Sequence, residues 1–166
     1  REPSLDDAML PLEKVATPHC PTIDSLARFL NIPATRTAKA VFLMADFAGG
    51  REPELLFAVV RGDRDLSETK LRRLTGARGL RPATDAEIAA VGAVPGYASP
   101  VGLENAWVIV DTEIPITPNL VSGANVEGYH LRNVNYPRDY HARQVADIAA
   151  ARPGQLCQCG AELQSL

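Results

Sequence analysis

The chain has 166 residues, of which 46% are hydrophobic and 22% charged, a composition typical of one globular domain that is large enough to bury a core. Its formal net charge of −3 argues against a protein that grips a long nucleic-acid backbone by itself, because such a domain should be basic. No apolar run approaches the ~20 residues that cross a bilayer, and the first residues contain no secretory signal core. We therefore expect a cytoplasmic protein that contacts at most a small end of a nucleic acid.

Cysteine usage points in the same direction. Cys20, Cys157 and Cys159 are too few for a disulfide scaffold and fit a reducing compartment. The pair near the C-terminus, "CQC", falls short of a structural zinc site, which usually needs four ligands at wider spacing. We expect neither a metal nor a cofactor.

The N-terminal part combines a linker and a helix. Residues 1–21 are punctuated by prolines and predict a linker, and the missing initiator methionine indicates a piece of a longer chain. The next segment, "PTIDSLARFLNIP", predicts a helix, since Thr22 can serve as its N-cap and Pro33 follows its end. The main domain is therefore expected to occupy residues 22–166.

The middle of the chain predicts two strands followed by two helices. The apolar runs "KAVFLMA" (39–45) and "ELLFAVVR" (54–61) are rich in Val, Leu and Phe, which favours paired strands. "SETKLRRLTG" (67–76) begins with a capping serine and ends at a glycine, and "TDAEIAAVG" (84–92) carries a capping box. The charged "RGDRDLSETK" that leads into the first of these helices is interpreted as a solvated turn.

The C-terminal half predicts further strands and a last helix. "AWVIVD" (106–111) is typical of a buried strand, "NLVSGA" and "GYHLRNV" of shorter strands, and "ARQVADIAAA" (142–151) of a final helix. Strands and helices mix without regular βαβ alternation. This pattern favours an α+β fold with a mixed, partly closed, barrel-like sheet flanked by helices.

Four features could carry chemistry. Lys39, at the start of a strand, either extends to solvent or binds a phosphate or carbonyl as a point charge. The stretch Gly96–Pro100 would present bare backbone groups on a stiff frame, as an ester-binding loop requires. Asp111 ends a strand, where it is either solvated or holds a water or a substrate amino group. His130 lies between turn-prone segments and is either structural or part of a pocket wall. No catalytic triad, P-loop or GxGxxG fingerprint is visible.

In their joint order, these segments resemble the editing domain that is inserted in bacterial prolyl-tRNA synthetases and that also occurs as free-standing proteins of the YbaK type. The similarity covers about residues 14–163 and is carried by "VATPHCPTIDSLARFL", "TAKAVF", "VVRGDRDLSETKL", "GYASPVGL", "VIVDTEI", "GANVEGYHLRNVN", "RD" and "VADIAAARPGQLCQCGAEL". The last motif is similar to the end of the synthetase insertion, which favours an inserted domain. The family often has two residues between the tail cysteines, whereas this chain has one.

The resemblance implies a function. It is the hydrolysis of alanine wrongly esterified to proline tRNA, by a second sieve that admits alanine and excludes proline. The implied partners are the acceptor end of tRNA(Pro) carrying alanine and the remainder of the synthetase, with no membrane. The terminal ribose hydroxyl of the substrate and an ordered water would do much of the work. Two alternatives stay open: a non-catalytic module that binds an aminoacyl-adenosine-like ligand or a partner, and a free-standing trans-editing deacylase.

The resemblance also implies roles for particular residues. Lys39 would lie near the terminal adenosine or its phosphate, and the loop from Gly96 to Pro100 would position the ester and the attacking water. His130 would help to set the size of the alanine pocket, and Asp111 would hold the amino group. The expected substrate-binding residues are Thr37, Tyr97, Ala98, Ser99, Gly123, Ala124 and Asn125. Cys20, which precedes the first helix, is given no catalytic role.

Overall fold

The computed structural model describes residues 8–103 and 106–151. In these ranges the chain forms three α-helices, a short 3-10 turn and eight strands. The helices are α1 (Ile23–Leu30), α2 (Glu68–Thr75) and α3 (Asp85–Ala90). The strands are β1 (Glu13–Ala16), β2 (Ala38–Asp46), β3 (Glu54–Arg61), β4 (Gly79–Pro82), β5 (Trp107–Asp111), β6 (Leu120–Gly123), β7 (Tyr129–Val134) and β8 (Gln144–Ala146). The predicted α+β class is confirmed.

The strands form two sheets. The larger sheet has the order β4-β2-β3-β5-β8, and the smaller one has the order β1-β7-β6. β2 is antiparallel to β3 and β4, whereas β5 is parallel to β3 and β8, so the larger sheet is mixed as expected. A bridge between Thr37 and Val121 links the two sheets. Within the described residues the strand order does not close into a barrel, and the barrel-like form is not confirmed.

The core lies on both faces of the central strand β3. Leu56, Ala58 and Val60 point to one face, where Leu71 of α2 packs against them. Phe57 and Val59 point to the other face, towards side chains of α3 and of the smaller sheet. Both faces are buried because other elements pack on each side of the sheet, which explains why the sequence of β3 is a continuous apolar run and does not alternate.

The three helices begin at the predicted caps. The hydroxyl of Thr22 accepts a hydrogen bond from the Ser25 amide, and that of Ser67 accepts one from the Lys70 amide. Thr84 forms a complete capping box with its partner at the third helical position. Each such cap contributes about 1 kcal/mol to helix stability.

The linker predicted over residues 1–21 is wrong for the part that the structure describes. β1 pairs antiparallel with β7, with Val15 opposite His130. Further upstream, the Leu10 amide donates a hydrogen bond to Oδ1 of Asn119. β1 is only four residues long and mostly exposed. Its strand conformation is therefore set by pairing with β7 more than by its own composition.

The final helix predicted over residues 142–151 is also wrong. The segment forms β8 and extends parallel to β5, and Trp107 Nε1 donates a hydrogen bond to Gln144 Oε1 at 3.0 Å. Alanine favours a helix locally, but propensity is a weak prior that tertiary bonds override. The sequence does not predict β4, which pairs with the edge of β2 that faces away from β3.

No helix in the described ranges is long and apolar enough to cross a membrane. In the same residues, no group of three or more His, Cys, Asp and Glu side chains is arranged to hold a metal ion. The cysteine pair considered above as part of a zinc site, Cys157 and Cys159, lies outside the described residues.

Candidate active site

A cleft of about 560 Å³ brings several of the predicted site residues together. Residues 38–42 of β2 line it, with residues 21–24 at the start of α1 and residues 95–98 except Tyr97. Gly123 of β6 and His130 of β7 complete the set of predicted residues in the lining. The volume lies within the range of pockets that hold small ligands or cofactors.

His130 marks the buried part of the cleft. The side chain is 4% exposed, and its Nδ1 lies 2.6 Å from Oγ1 of Thr17. Burial lowers the pKa of His130 to about 4, so the imidazole is neutral at pH 7. Because Nδ1 is engaged with Thr17, Nε2 is the ring nitrogen left to meet a ligand. The histidine is therefore a polar but uncharged part of the wall.

A hydrogen-bonded layer lies behind this histidine. The Tyr97 ring packs against the imidazole with the ring centroids 5.2 Å apart, and the Tyr97 hydroxyl accepts a hydrogen bond from the Cys20 amide at 3.0 Å. The Thr17 amide donates to the Gly128 carbonyl. The segment from Thr17 to Cys20 thus fixes the histidine from behind. Sequence reasoning missed Thr17, for which the motif "VATPHC" was the only signal. Cys20 itself packs with Leu26 and Val121 and does not line the cleft.

The loop from Gly96 to Pro100 is held by Asn125. The Asn125 amide donates to the Tyr97 carbonyl at 2.8 Å, and its side chain exchanges two hydrogen bonds with the Ser99 backbone at 3.0 and 2.9 Å. Gly96 has a φ of +81°, a conformation that L side chains rarely adopt. Of this loop, Gly96 and Ala98 line the cleft, whereas Ser99 and Pro100 are buried behind it.

Gly123 packs directly on the loop backbone. A Cβ at this position would lie 2.1 Å from the Tyr97 carbonyl oxygen and 2.4 Å from that of Ala98, so only glycine fits. Gly123 is also the register partner of His130 across β6 and β7. Ala124, the next residue, is half-buried. Backbone atoms and one imidazole therefore enclose this end of the cleft.

Lys39 lies at a different, more polar part of the lining. Its side chain is 29% exposed, and Nζ donates to the Arg64 carbonyl at 2.7 Å and lies 3.2 Å from Oδ1 of Asp65. Thr37 is buried, and its hydroxyl donates to the Ala34 carbonyl. A Cβ on Gly62 would lie 1.8 Å from Oγ1 of Thr37, which requires glycine there.

The turn after β3 differs from the solvated turn that was expected. Gly62 lines the cleft, and the Arg64 side chain is only 10% exposed. Arg64 forms an ion pair with Glu113, a residue that sequence reasoning did not single out. This turn therefore contains a largely buried ion pair next to Lys39, although Asp65 in the same turn is exposed.

Asp111 is not brought to the cleft. It is buried, and its Oδ1 accepts hydrogen bonds from the Ile148 and Ala149 amides at 2.9 and 3.0 Å. Its Oδ2 accepts one from the Glu113 amide at 3.0 Å. Oδ1 thus joins the end of β5 to the segment after β8, and Oδ2 holds the turn that follows β5. Because both oxygens are used within the protein and Asp111 does not line the cleft, the expectation that it holds a substrate amino group is corrected.

Fold and cleft together define a class: an α+β domain with a cleft of small-ligand size between a neutral, backbone-lined end and a lysine. Comparison with known families then gives the identity. The family of aminoacyl-tRNA editing domains matches residues 17–138, and the chain belongs to this family. The resemblance drawn from the sequence motifs is confirmed.

Individual relatives agree with this assignment. The chain is 48% identical over 158 residues to the proline–tRNA ligase of Salinispora tropica, covering 93% of this chain and 27% of that protein. It is 45% identical over 146 residues to the proline–tRNA ligase of Dehalococcoides mccartyi, covering 88% of this chain and 25% of that protein. The chain thus spans about a quarter of the length of these relatives.

A solved structure shares the fold. The crystal structure of a candidate trans-editing enzyme for prolyl-tRNA synthetase superposes with a TM-score of 0.68 at 22% sequence identity. The match covers 84% of this chain and 87% of that protein. Editing domains of this family are therefore found within proline–tRNA ligases, and the architecture also exists as a chain of about the same size.

Proposed function

We propose that this chain hydrolyses the aminoacyl ester of tRNA(Pro) mischarged with alanine, as the editing domain of a proline–tRNA ligase. The observation that carries the proposal is the end of the cleft formed by His130, Gly123 and the Gly96–Ala98 backbone. Membership of the editing family and the identity to proline–tRNA ligases support the same reaction. The proposed partners are the acceptor end of tRNA(Pro) and the remaining three quarters of the ligase.

Size selection follows from this end of the cleft. A synthetic site shaped for proline excludes the smaller alanine by only ~1–3 kcal/mol, so a second site is needed. In our proposal the alanine methyl group lies against the buried His130 ring, and the larger proline ring is excluded. Packed interiors resist displacement, and the Gly123 backbone is in direct contact with the loop. The wall therefore cannot move outward to accept proline.

The attacking group does not come from the protein in this proposal. The hydroxyl bonded to His130 belongs to Thr17, which is fully buried and is not part of the lining. His130 is neutral and contributes polarity without charge. An ordered water and the terminal ribose hydroxyl of the substrate are left to carry the attack, while the backbone of the Gly96–Pro100 loop orients the ester.

Lys39 supplies the positive charge in the proposed complex. An ammonium group has three N–H donors, of which the Arg64 carbonyl and Asp65 take two. The third donor is available to the terminal adenosine or its phosphate. In this proposal Thr37 and Asn125 shape the cleft, because their side chains bind the backbone of Ala34 and Ser99. Ala124 lies next to Gly123 in the chain, and Asp111 holds backbone amides outside the lining.

The reaction is tested with Ala-tRNA(Pro) and Pro-tRNA(Pro), using this chain alone and the same chain joined to the rest of a proline–tRNA ligase. We expect release of alanine and retention of proline, with Lys39→Ala as the impaired control. Hydrolysis of Ala-tRNA(Pro) no faster than in buffer, in both forms, would contradict the proposal. Saturable binding of an alanyl-adenosine analogue without turnover would identify a non-catalytic module instead.

A further inference from the structure

The ammonium of Lys39 is held mainly by one backbone carbonyl. Nζ lies 2.7 Å from the Arg64 oxygen, while its other partner, Asp65, has a side chain that is 89% exposed. Exposed ion pairs restrain geometry weakly because water competes for both groups. The direction of the Lys39 side chain therefore depends on where the Arg64 peptide lies.

The Arg64 peptide is in turn fixed through its own side chain. Nη1 of Arg64 donates to Oε1 of Glu113, and Nη2 donates to the Ala150 carbonyl at 3.1 Å. The Ala150 amide donates to the Asp65 carbonyl at 2.7 Å, so the turn is held from both sides. The Arg64 side chain is only 10% exposed, so the loss of Glu113 would leave its guanidinium poorly solvated and without its ion-pair partner.

Glu113 makes further contacts beyond Arg64. Its Oε2 lies 3.7 Å from Nε of Arg61, and its amide donates to Oδ2 of Asp111. Asp111 also binds two amides after β8 through its other oxygen. A continuous path of hydrogen bonds and ion pairs thus runs from the end of β5 through Glu113 and Arg64 to Lys39.

We propose that Glu113 and Arg64 are positioning residues that aim the Lys39 ammonium into the cleft. The inference rests on the proposed function, in which Lys39 binds the substrate. It also gives Asp111 a role at a distance, since its carboxylate holds the backbone of Glu113. Catalytic geometry is sensitive to small shifts, and displacing a binding group by about 1 Å can cost on the order of a hundredfold in rate.

Measurements of activity distinguish a positioning role of Glu113 from a general effect on stability. We expect Glu113→Gln to lower kcat/KM for Ala-tRNA(Pro) about tenfold when Lys39 is present, but less than about twofold in the Lys39→Ala background under single-turnover conditions. An equal loss in both backgrounds would overturn the proposal. Glu87→Gln, which removes an exposed ion pair with Arg81, is the matched control and should leave kcat/KM unchanged.

A second measurement requires no activity. Acetic anhydride is added in trace amounts to the folded chain, and acetylation of Lys39 is measured by mass spectrometry relative to Lys14 and Lys70. We expect Lys39 in Glu113→Gln to react at least about threefold faster than in the parent, because its ammonium loses a fixed acceptor. An unchanged Lys39 rate in the folded variant would overturn the proposal.

Arg64→Lys covers the case in which Glu113→Gln does not fold. It keeps the charge opposite Glu113 but loses the second guanidinium bond, to Ala150, and should accelerate Lys39 acetylation by a smaller factor. No acceleration in a folded Arg64→Lys variant would overturn the proposal. Failure of the parent chain to hydrolyse Ala-tRNA(Pro) refutes the proposed function but not the positioning effect, since labelling reports on Lys39 directly.

Discussion

The two ends of the cleft are built on opposite principles. At one end, a buried neutral imidazole and a glycine backbone are packed against a loop without any formal charge. At the other, a partly exposed ammonium is held by a turn whose own anchor is a largely buried ion pair. The difference separates two tasks: the His130 end responds to side-chain size through packing, and the Lys39 end responds to charge through orientation. Substitutions should therefore affect stability mainly at the first end and activity mainly at the second.

Gly123→Ala should have the largest effect on stability. The new Cβ would lie 2.1 Å from a backbone oxygen that cannot move without displacing the loop. We expect a loss of at least about 3 kcal/mol in the free energy of unfolding, measured by urea denaturation. Gly79→Ala is the control, because its Cβ would meet nothing within 4 Å, and it should stay within about 0.5 kcal/mol of the parent. Similar losses for both would contradict tight packing at Gly123.

Acid should lower the free energy of unfolding through protonation of His130. The pKa of His130 is about 4 in the folded chain against an ordinary value of 6.5, so the unfolded state binds the proton more readily. The contribution of His130 to the free energy of unfolding is therefore complete above pH 6.5. It is lost as the pH falls towards 4, and the loss is up to about 3 kcal/mol. Urea unfolding between pH 7 and 4.5 measures it. His130→Asn should flatten this part of the curve, while His141→Gln, at an exposed position, should not. Parallel curves for the parent and His130→Asn would refute the assignment.

Thr17→Val should have an intermediate effect. The substitution keeps the shape of the side chain but leaves the buried Nδ1 of His130 without its partner. We expect the free energy of unfolding to fall by about 1–3 kcal/mol. Thr69→Val, on the exposed side of α2, should change it by less than about 0.5 kcal/mol. If the two valine variants are equally stable, Thr17 does not hold the histidine.

Lys39→Ala should have the smallest effect on stability. Its ion-pair partner is exposed, and we expect a change below about 1 kcal/mol in urea, with kcat/KM for Ala-tRNA(Pro) reduced at least about tenfold. Lys70→Ala is a suitable control, because Lys70 also binds a carboxylate and a carbonyl but lies outside the cleft lining. A large drop in stability for Lys39→Ala would assign Lys39 a structural role.

The elements that could be predicted from the sequence are those with local signals. β2 and β3 are long apolar runs, and α1, α2 and α3 carry capping residues at their first turns. β1 and β8 have four and three residues, and only pairing with distant strands defines them. The alanines of the last segment favour a helix, but bonds to Asp111 hold it extended.

The site residues likewise fall into those with a local sequence signal and those without one. Lys39, Gly96, Ala98, Gly123 and His130 could be found through motifs, and the cleft does contain them. Thr17 lies 113 residues from His130 in sequence, and nothing local links the two. Arg64 belongs to a segment that the sequence predicts as a solvated turn, and no local signal singles out Glu113, since only the fold brings the two side chains together. The resemblance implied that Asp111 binds the substrate, but the role of a strand-end carboxylate is ambiguous until its hydrogen-bond partners are known.

The most direct test of the size-selecting end is the ratio of hydrolysis rates for Ala-tRNA(Pro) and Pro-tRNA(Pro) in His130→Ala. Removing the imidazole opens space beside the fixed Gly123 wall, and we expect proline to be released at a rate within about tenfold of alanine, whereas the parent chain spares it. His141→Ala should keep the selectivity of the parent. A His130→Ala variant that is folded, hydrolyses Ala-tRNA(Pro) and still spares Pro-tRNA(Pro) would contradict the account.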